Sequence, residues 1–269
     1  MKVTTTIQPV RTTGHRPKRK ELVAWLEANW RATWIAMASV TPGAEVKPIH
    51  SGLLVKTGLP VSYFNMAMVD RAVRRPDRAV KAAESYFAGL PFCVVFAEGH
   101  VDMTVACENA GLTRTETIPG MAMAPLPHAT VDPTLTIEPL THDLLPTFLD
   151  VFCASFGLPR EMAERLATHD YVDLEQSHDV VAFVDGDPVA VASTFESMGV
   201  VGVYNVGTMP DHRGNGYGEA VTWAVVEHAK KRGCHTAVLQ SSDMGFGVYR
   251  RMGFEVVSSY CCYTNEPEG

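Results

Sequence analysis

The chain has 269 residues, of which 46% are hydrophobic and 20% are charged, a composition typical of globular proteins. This length allows one large or two ordinary domains with a sizeable core. No stretch approaches the roughly 18 apolar residues of a membrane span, and the N-terminus lacks the apolar region of a signal peptide. We therefore expect a cytoplasmic protein with no membrane partner.

Charge is unevenly distributed along the chain. Residues 1–134 contain 15 Lys and Arg against 11 Asp and Glu, and residues 135–269 contain 8 against 19, so balances of +4 and −11 sum to −7. The acidic half argues against a nucleic-acid partner, because such binding depends on Lys and Arg. It is compatible with attraction of a cationic amine, and equally with an acidic surface that keeps the protein in solution.

The spacing of cysteines and histidines argues against a metal site. The six cysteines show no C-x-x-C or C-x-x-H spacing, and the ten histidines contain no H-x-x-x-H pair. Buried or incidental thiols explain the cysteines better than a metal centre or a disulfide framework does. We therefore expect no metal cofactor.

Hydrophobic periodicity predicts alternating helices and strands in the first half. The expected helices are residues 21–34, 77–90 and 101–110, and the expected strands are residues 52–56, 61–69, 92–96 and 113–124. Arg71, Arg74 and Arg75 follow the second strand and are point charges that suit an anion. No glycine accompanies them to form a backbone cradle, so we expect this half to carry no chemistry alone.

A proline-rich stretch separates the two halves. Residues 125–133 contain three prolines, which disfavour helices and sheet interiors, so we place a domain boundary there. The predicted domains are residues 1–130 and residues 135–269. The expected strands of the second are residues 135–138, 180–184, 188–195, 200–209, 236–240 and 254–263, and its expected helices are residues 159–171, 216–232, 244–252 and one ending at 156.

Two local signals refine this assignment. Asp185-Gly186-Asp187 between two strands predicts a hairpin. Thr141 or Asp143 is the candidate N-cap of the helix ending at residue 156. Asp143 is the better choice because it places Pro146 in the first turn, where a missing N–H matters least.

Three alternating glycines open the helix predicted over residues 216–232. Gly214, Gly216 and Gly218 follow a strand that ends at Met209-Pro210. Glycine lets backbone N–H groups approach an anion closely, and the unpaired N–H groups and dipole of a helix N-terminus favour negative charge. The sequence therefore predicts a phosphate-binding loop at this point.

Two common phosphate-binding loops do not match these glycines. The nucleotide P-loop requires G-x-x-x-x-G-K-[ST], and no Lys followed by Ser or Thr comes after them. The dinucleotide loop requires G-x-G-x-x-G and an acidic residue near the end of the next strand, whereas this chain has G-x-G-x-G and Gln240. The pattern that remains is R-G-x-G-x-G, beginning at Arg213.

The order of motifs around this loop resembles the GNAT superfamily of acyl-CoA-dependent N-acyltransferases. A strand, M-P-x-x-R-G-x-G-x-G, a helix, a strand and then V-Y-R-R-M-G-F at 248–254 follow one another within residues 135–263. The first half resembles a degenerate copy, because Gly111-Leu112 after a strand and helix echoes Gly253-Phe254. The resemblance implies an α/β GNAT fold, with a mixed central sheet flanked by helices, in two tandem domains.

The resemblance also implies acetyl-CoA as the cofactor. In the family, the pyrophosphate lies on the glycine loop, and the pantetheine pairs with the preceding strand, where a backbone N–H can polarise the thioester carbonyl. Ser242 stands where the family often has an Asn that contacts the cofactor, which is a departure from the pattern. The implied cofactor-binding residues are Val206, Gly207, Thr208, Arg213, Gly214, Asn215, Gly216, Tyr217, Gly218 and Ser242.

Candidate catalytic residues are fewer. Tyr249 matches the family tyrosine that protonates the departing thiolate, and the alternative is a tyrosine that only packs on a short helix. The acceptor amine also requires a base. Tyr204 and Asn205 on the central strand are poor bases at neutral pH, so Glu196 is the candidate, with a surface carboxylate as the alternative. His212 is better explained as a solvated loop residue.

Two functions remain open at this stage. The first is an acetyl-CoA-dependent N-acetyltransferase that acts on a small amine, such as an aminoglycoside-like or amino-acid-like compound, by direct transfer in a ternary complex. The second is a non-catalytic acyl-CoA-binding or regulatory relative. Tyr249 favours the enzyme, and the absence of a glutamate on the central strand favours the relative. We expect no nucleic-acid partner and keep a homodimer as an open option.

Overall fold

A computed structural model of the chain describes residues 6–8, 17–130 and 135–266. In this part of the chain the helices are α1 (Arg19–Val40), α2 (Pro76–Tyr86), α3 (Val101–Asn109), α4 (Leu145–Phe156), α5 (Arg160–Leu166), α6 (His169–Val172), α7 (Tyr217–Lys231) and α8 (Asp243–Met252). The strands are β1 (Thr6–Gln8), β2 (Glu45–Ile49), β3 (Gly52–Lys56), β4 (Asn65–Val69), β5 (Cys93–Ala97), β6 (Thr113–Met123), β7 (His128–Thr130), β8 (Thr136–Pro139), β9 (Val180–Val184), β10 (Asp187–Ser197), β11 (Val200–Thr208), β12 (Thr236–Gln240) and β13 (Glu255–Thr264).

The chain divides into two compact units, each drawn from separate stretches of sequence. Unit 1 comprises Met1–Thr33 and Met121–Glu255, and unit 2 comprises Trp34–Gly120 and Val256–Gly269. These units do not coincide with the division predicted at residues 125–133, because α1 contributes to both and nearly all of β13 belongs to unit 2. Part of the predicted linker forms β7, which pairs with β1, and residues 131–134 lie outside the described residues.

Unit 1 contains a mixed sheet with the strand order β8-β9-β10-β11-β12. The strands from β8 to β11 are antiparallel neighbours, whereas β11 and β12 run parallel. The predicted hairpin joins β9 to β10. Its two loop residues, Asp185 and Gly186, have φ values of 53° and 91°, the left-handed conformations that a two-residue type I′ turn requires.

The strand β11 bulges and then leaves β12. It has two residues, Asn205 and Val206, opposite the single Ala192 of β10, and Asn205 adopts a left-handed φ of 51°. The parallel pairing with β12 covers residues 200–202 only. Residues 203–208 therefore extend beyond the shared register, with main-chain groups on that edge that β12 does not pair.

Two helices cover the part of β11 that follows the bulge. Both α4 and α7 pack against β10 and β11. Val206 packs against the buried core of α7, whereas the position of a side chain on Gly207 is occupied by Ser155 of α4. Successive strand residues point to opposite faces of a sheet, so these two helices lie on opposite faces. The core under α7 contains Leu135, Val180, Ala182, Val189, Ala190, Ala192, Tyr217, Ala220, Val221 and Val225.

Unit 2 repeats part of this order. Its strands lie in the order β2-β3-β4-β5-β13, and β4 and β5 are parallel, as β11 and β12 are. The last strand of the chain, β13, pairs antiparallel with β5 over Cys93–Ala97. The loop after β4 contains no glycine in this unit. Arg71 there donates to the Ser258 hydroxyl, and Arg75 pairs with Asp77.

The structure corrects two predictions about helices. The N-cap of α4 is Leu144, neither Thr141 nor Asp143, although Pro146 does lie in the first turn. The helix predicted over residues 159–171 is two helices, α5 and α6, because Ala167 leaves the helical region with φ −112° and ψ 88°. Among the described residues, no helix has the length and apolar character needed to cross a membrane.

Candidate functional site

The glycine loop places an unobstructed row of backbone donors at the start of α7. Gly214 and Gly216 have φ values of 79° and 87°, which side-chain-bearing residues rarely adopt. Gly216 is the N-cap of α7 and has no side chain to cap it. The N–H groups of Gly214, Gly216 and Gly218 donate to none of the described residues. Such donors, together with the helix dipole, are features that favour an anion.

Polar side chains of the loop hold its shape. The Arg213 guanidinium donates from Nε to the Thr208 carbonyl at 3.3 Å and from Nη2 to the Ser155 carbonyl at 2.9 Å. Ser155 lies at the C-terminal end of α4, where a cation is favoured. The Asn215 amide donates to the His212 carbonyl at 3.0 Å. The two side chains therefore tie the loop to β11 and α4.

The predicted cofactor edge of β11 is closely packed. A Cβ on Gly207 would lie 2.7 Å from Cβ and 2.8 Å from Oγ of Ser155, so only glycine lets α4 approach this strand. A Cβ on Gly218 would lie 3.3 Å from Oγ1 of Thr208. The Tyr217 ring is buried in the core under α7. Tyr217 therefore contributes only its main chain to the loop surface.

The helix α8 carries two of the predicted residues. Tyr249 is 9% exposed, and burial raises its pKa to about 12. Its ring packs edge-on against Phe254 at 5.7 Å between centroids, and its hydroxyl bonds to none of the described residues. Ser242 is the N-cap of α8, and its hydroxyl accepts from the Gly245 N–H at 3.2 Å. This hydroxyl therefore already stabilises the helix end.

Glu196 lies away from the bulge of β11. It pairs with Val201 across the β10–β11 ladder, close to the turn that joins the two strands. Its carboxylate accepts from Nε of Arg232 at 3.1 Å, and its side chain is 15% exposed. His212 lies in the turn before the loop, with its ring 6.3 Å from the Tyr217 ring. The structure thus separates Glu196 from the divergent part of β11.

A comparison of the sequence with protein families shows which family the residues around the glycine loop match. The sequence model of the acetyltransferase (GNAT) family matches residues 145–254, which all belong to unit 1. The chain contains a GNAT acetyltransferase domain. The matched residues run from α4 to the end of α8 and include the β11 bulge, the glycine loop and Tyr249. The family acts by acetyl-CoA-dependent acetyl transfer, so the predicted cofactor is confirmed at the level of the family.

Curated relatives and solved structures agree with this family. A mycothiol acetyltransferase from Saccharomonospora viridis is 38% identical over 60 residues, which are 21% of this chain and only 20% of the relative. A GCN5-related N-acetyltransferase from Kribbella flavida superposes with a TM-score of 0.63 at 19% identity, and the match covers 89% of this chain and 94% of that chain.

Another structural match extends along the whole chain. A tandem GNAT protein from the clavulanic acid biosynthesis pathway matches all of both chains, with a TM-score of 0.60 and 12% identity. A GCN5-related N-acetyltransferase from Sphaerobacter thermophilus matches 98% of this chain and 95% of its own, with a TM-score of 0.59 and 16% identity. The predicted α/β GNAT fold is therefore confirmed. It has a mixed sheet flanked by helices, and its structural neighbours include a tandem GNAT protein.

The residues of the GNAT domain fit acetyl-CoA. The loop before α7 offers unpaired donors for a pyrophosphate, and β11 offers an unpaired edge for an extended amide-bearing chain. Two buried side-chain atoms near the ends of these strands have no partner among the described residues: Oγ of Ser155, beside Gly207, and Nε2 of Gln240, at the end of β12. Buried polar atoms are normally hydrogen-bonded, so unpaired ones here are consistent with a ligand.

The GNAT domain also contains a buried polar network that the sequence did not reveal. The Asp179 carboxylate, just before β9, accepts from the Tyr171 hydroxyl, from Oγ of Ser177 at 2.9 Å and from the Thr194 N–H at 3.3 Å. Burial raises its pKa to about 6, although these bonds act in the opposite direction. A single Asp before a strand normally signals a turn, so no sequence pattern marks this group.

A second missed residue comes from α1. Asn29 is fully buried in unit 1 and donates to the carbonyls of Phe195 and Val200. Its Oδ1 accepts from the Tyr204 hydroxyl at 2.7 Å. A Cβ on Gly202 would lie 2.0 Å from this oxygen. The helix that precedes the GNAT domain by about a hundred residues thus supplies the group that anchors the start of β11.

Proposed function

We propose that this chain transfers the acetyl group of acetyl-CoA directly to a small amine within a ternary complex. The observation that carries the proposal is the divergence of β11 from β12 directly before a helix N-terminus with unpaired glycine N–H groups. One element positions an unpaired strand edge, and the next positions an anion site. This combination suits a ligand that has both an extended amide-bearing chain and a pyrophosphate.

The proposed binding residues act mainly through the main chain. Gly214, Gly216 and Gly218 direct N–H groups at the pyrophosphate, and the dipole of α7 adds favourable electrostatic energy. Arg213 acts indirectly, because its guanidinium holds the loop against β11 and α4. Ser242 acts through α8, since its hydroxyl caps that helix.

The edge of β11 is proposed to bind the extended part of the cofactor. Val206, Gly207 and Thr208 present main-chain donors and acceptors that β12 does not pair. Bound acetyl-CoA supplies a thioester, which is an activated acetyl donor. A fixed N–H on this edge would withdraw charge from the thioester oxygen more effectively than water does, because it needs no reorientation.

Tyr249 is proposed as the proton donor to the departing sulfur. Its pKa of about 12 keeps the hydroxyl protonated throughout the neutral range. With no partner among the described residues, it can donate to a ligand atom. A thiol has a pKa of about 8.5, so a hydrogen bond to the thiolate stabilises it, although full proton transfer is not required.

A base that accepts the amine proton is a separate part of this mechanism. That Glu196 accepts the amine proton stays a prediction. In the structure the Glu196 carboxylate forms an ion pair with Arg232. The Glu196→Gln variant tests it, since an essential base would lower turnover strongly. An amine that reaches the site already neutral needs no base before attack, and it loses its proton to solvent after the C–N bond has formed.

A two-substrate assay tests the proposed function. Release of free thiol is followed with acetyl-CoA and a defined panel of amines: kanamycin, spermidine, L-lysine and glycine ethyl ester. We expect at least one amine to stimulate release, with initial rates that depend on both substrates as in a ternary complex. Parallel reciprocal plots would indicate an acetyl-enzyme instead and would contradict direct transfer.

The second function is a non-catalytic acyl-CoA-binding or regulatory GNAT relative. The ion pair of Glu196 and the absence of a carboxylate on β11 favour it. Acetyl-CoA binding without amine-stimulated release of thiol would support this function. The amino-acid-like or aminoglycoside-like acceptor, the homodimer and the cytoplasmic location stay predictions.

A further inference from the structure

A chain of four polar side chains runs from the bulge of β11 to a buried carboxylate. Nδ2 of Asn205 lies 3.3 Å from Oγ of Ser193, on β10. This hydroxyl lies 3.2 Å from the Tyr171 hydroxyl, on α6, which donates to Oδ2 of Asp179. All but Asn205 are buried: Tyr171, Asp179 and Ser193 are 3%, 5% and 3% exposed. The site described above does not use this chain.

The carboxylate sets the direction of every hydrogen bond in this chain. An ionised Asp179 can only accept, so the single proton of the Tyr171 hydroxyl is committed to it. The proton of Ser193 is then directed to the Tyr171 oxygen or to Asp179, which is also a hydrogen-bond partner of Ser193. Because its own proton is committed, Oγ of Ser193 can only accept from Asn205. The partner atom of Asn205 is therefore its NH₂ group.

This direction fixes the orientation of the Asn205 amide. An amide that donates inward with Nδ2 presents Oδ1 away from Ser193, and Oδ1 bonds to none of the described residues. Asn205 also stands at the bulge, in the stretch of β11 that β12 does not pair. Its left-handed φ of 51° suits Asn, Asp or Gly better than other residues. A pure acceptor is thus fixed beside the strand edge assigned to the cofactor.

We propose that Asn205 binds and orients the acceptor amine, which donates an N–H to Oδ1, and that Ser193, Tyr171 and Asp179 are positioning residues that hold the amide in this orientation. The inference rests on the proposed function and extends it to the acceptor. It assigns the substrate class by chemistry: a group with at least one N–H donor, and no acceptor required at the same point. An amide in the flipped orientation would present NH₂ to the amine and repel it.

The fixed orientation of the Asn205 amide should affect the binding of the amine and not the binding of acetyl-CoA. An acceptor already fixed before the amine binds loses no rotational freedom on binding. The buried carboxylate also polarises the chain, because each hydrogen bond strengthens the next in a medium of low dielectric constant. Loss of any link should therefore weaken amine binding and leave acetyl-CoA binding unchanged.

The test compares the KM of the amine with the Kd of acetyl-CoA in matched variants of the full chain. Asn205→Gly and Asn205→Asp both tolerate the left-handed φ, but only Asn205→Asp keeps an acceptor oxygen. With the best amine of the panel at about pH 8, we expect Asn205→Gly to raise its KM about tenfold or more, the loss of a hydrogen bond to a charged donor. Asn205→Asp keeps an oxygen for the amine but has no N–H to donate to Ser193, so its KM should lie between those of wild type and Asn205→Gly.

Variants of the positioning residues separate orientation from simple packing. Tyr171→Phe breaks the chain without touching Asn205 and should raise the amine KM in the same direction by a smaller factor. Ser177→Ala is the matched control, because it removes a partner of the other oxygen of Asp179 and leaves Tyr171, Ser193 and Asn205 in place. It should leave the amine KM unchanged. An unchanged Kd for acetyl-CoA in all four variants shows that the fold is retained.

The outcomes distinguish this inference from the proposed function. If the wild-type chain transfers acetyl to no amine of the panel, the proposed function is overturned, and this inference with it. If wild type is active and Asn205→Gly keeps the wild-type amine KM, only the inference is overturned. The same holds if Asn205→Asp is as impaired as Asn205→Gly, because the missing oxygen would then not explain the loss.

Discussion

Among single residues, Tyr249 is the candidate proton donor, and burial determines its protonation state. Burial raises its pKa to about 12, so the hydroxyl is protonated at neutral pH and can act as a donor. We expect Tyr249→Phe to lower kcat about 10²-fold or more, the scale of general acid catalysis, while the Kd of acetyl-CoA changes little. Stopped assays and calorimetric titration measure the two quantities. Full turnover in this variant would show that Tyr249 only packs against Phe254.

Asp179 makes the free energy of unfolding depend on pH. Its pKa rises from 3.8 to about 6 on folding, so the folded chain binds this proton more tightly than the unfolded chain. The stability that Asp179 contributes is therefore present below about pH 4 and is lost as pH rises to about 6. Asp179→Asn removes this dependence.

Urea unfolding at several pH values measures the effect. The difference in unfolding free energy between wild type and Asp179→Asn should fall by roughly 2–3 kcal/mol across this range, as two units of pKa imply. The exposed Asp143→Asn is the control and should follow wild type. A difference that does not vary with pH would mean that Asp179 does not titrate in this range.

At the level of elements, the helix α7 has glycines in the left-handed conformation at both ends. Gly216 is its N-cap with φ 87°, and Gly233 follows its C-terminus with φ 101°. Valine at either position strains the backbone to a similar extent, but only Gly216 belongs to the proposed anion site. We expect Gly216→Val to raise the KM of acetyl-CoA at least tenfold and Gly233→Val to leave it close to wild type, since the lost backbone bonds are to a charged group.

Initial rates at varied acetyl-CoA, with thermal unfolding of both variants, separate binding from stability. If both variants lose the same stability but only Gly216→Val raises the KM of acetyl-CoA, the result supports a pyrophosphate site at the glycine loop. Wild-type affinity for acetyl-CoA in Gly216→Val would contradict a pyrophosphate site at this loop.

In the whole molecule, long-range strand pairing decides which residues form a unit. Unit 1 includes α1 as far as Thr33 and the Met121–Met123 end of β6, as well as most of the second half of the chain. Buried Asn29 links α1 to the β10–β11 hairpin through three acceptors, including Oγ of Ser197. Removal of these partners would leave buried carbonyls unsatisfied, at about 1–3 kcal/mol each.

A fragment of residues 135–269 tests this arrangement. It contains the predicted second domain and the whole family match, but lacks α1 and β6. We expect it to lose the cooperative thermal transition of the full chain and to bind acetyl-CoA at least tenfold more weakly, because its core is incomplete. Circular dichroism and calorimetry make the comparison. A fragment that melts cooperatively and binds as the full chain does would show that the division at residues 125–133 is the functional one.

The local features of the fold could be predicted from the sequence, and the distant ones could not. Asp185-Gly186 predicted the turn, and the bounds of β3, β9 and β12 follow from their apolar runs. The bulge at Asn205 and the pairing of β13 with β5 depend on contacts between different elements of the chain. No periodicity within one segment records such contacts, and the same reason hid the network around Asp179.

The central claim is that the chain transfers acetyl from acetyl-CoA to an amine. Mass spectrometry of both products from one incubation with the amine panel tests it most directly. The account predicts that acetylated amine and free coenzyme A form in equal amounts with wild type, and that Gly216→Val reduces both together. Bound acetyl-CoA that yields no acetylated amine, or free coenzyme A formed without one, would contradict it.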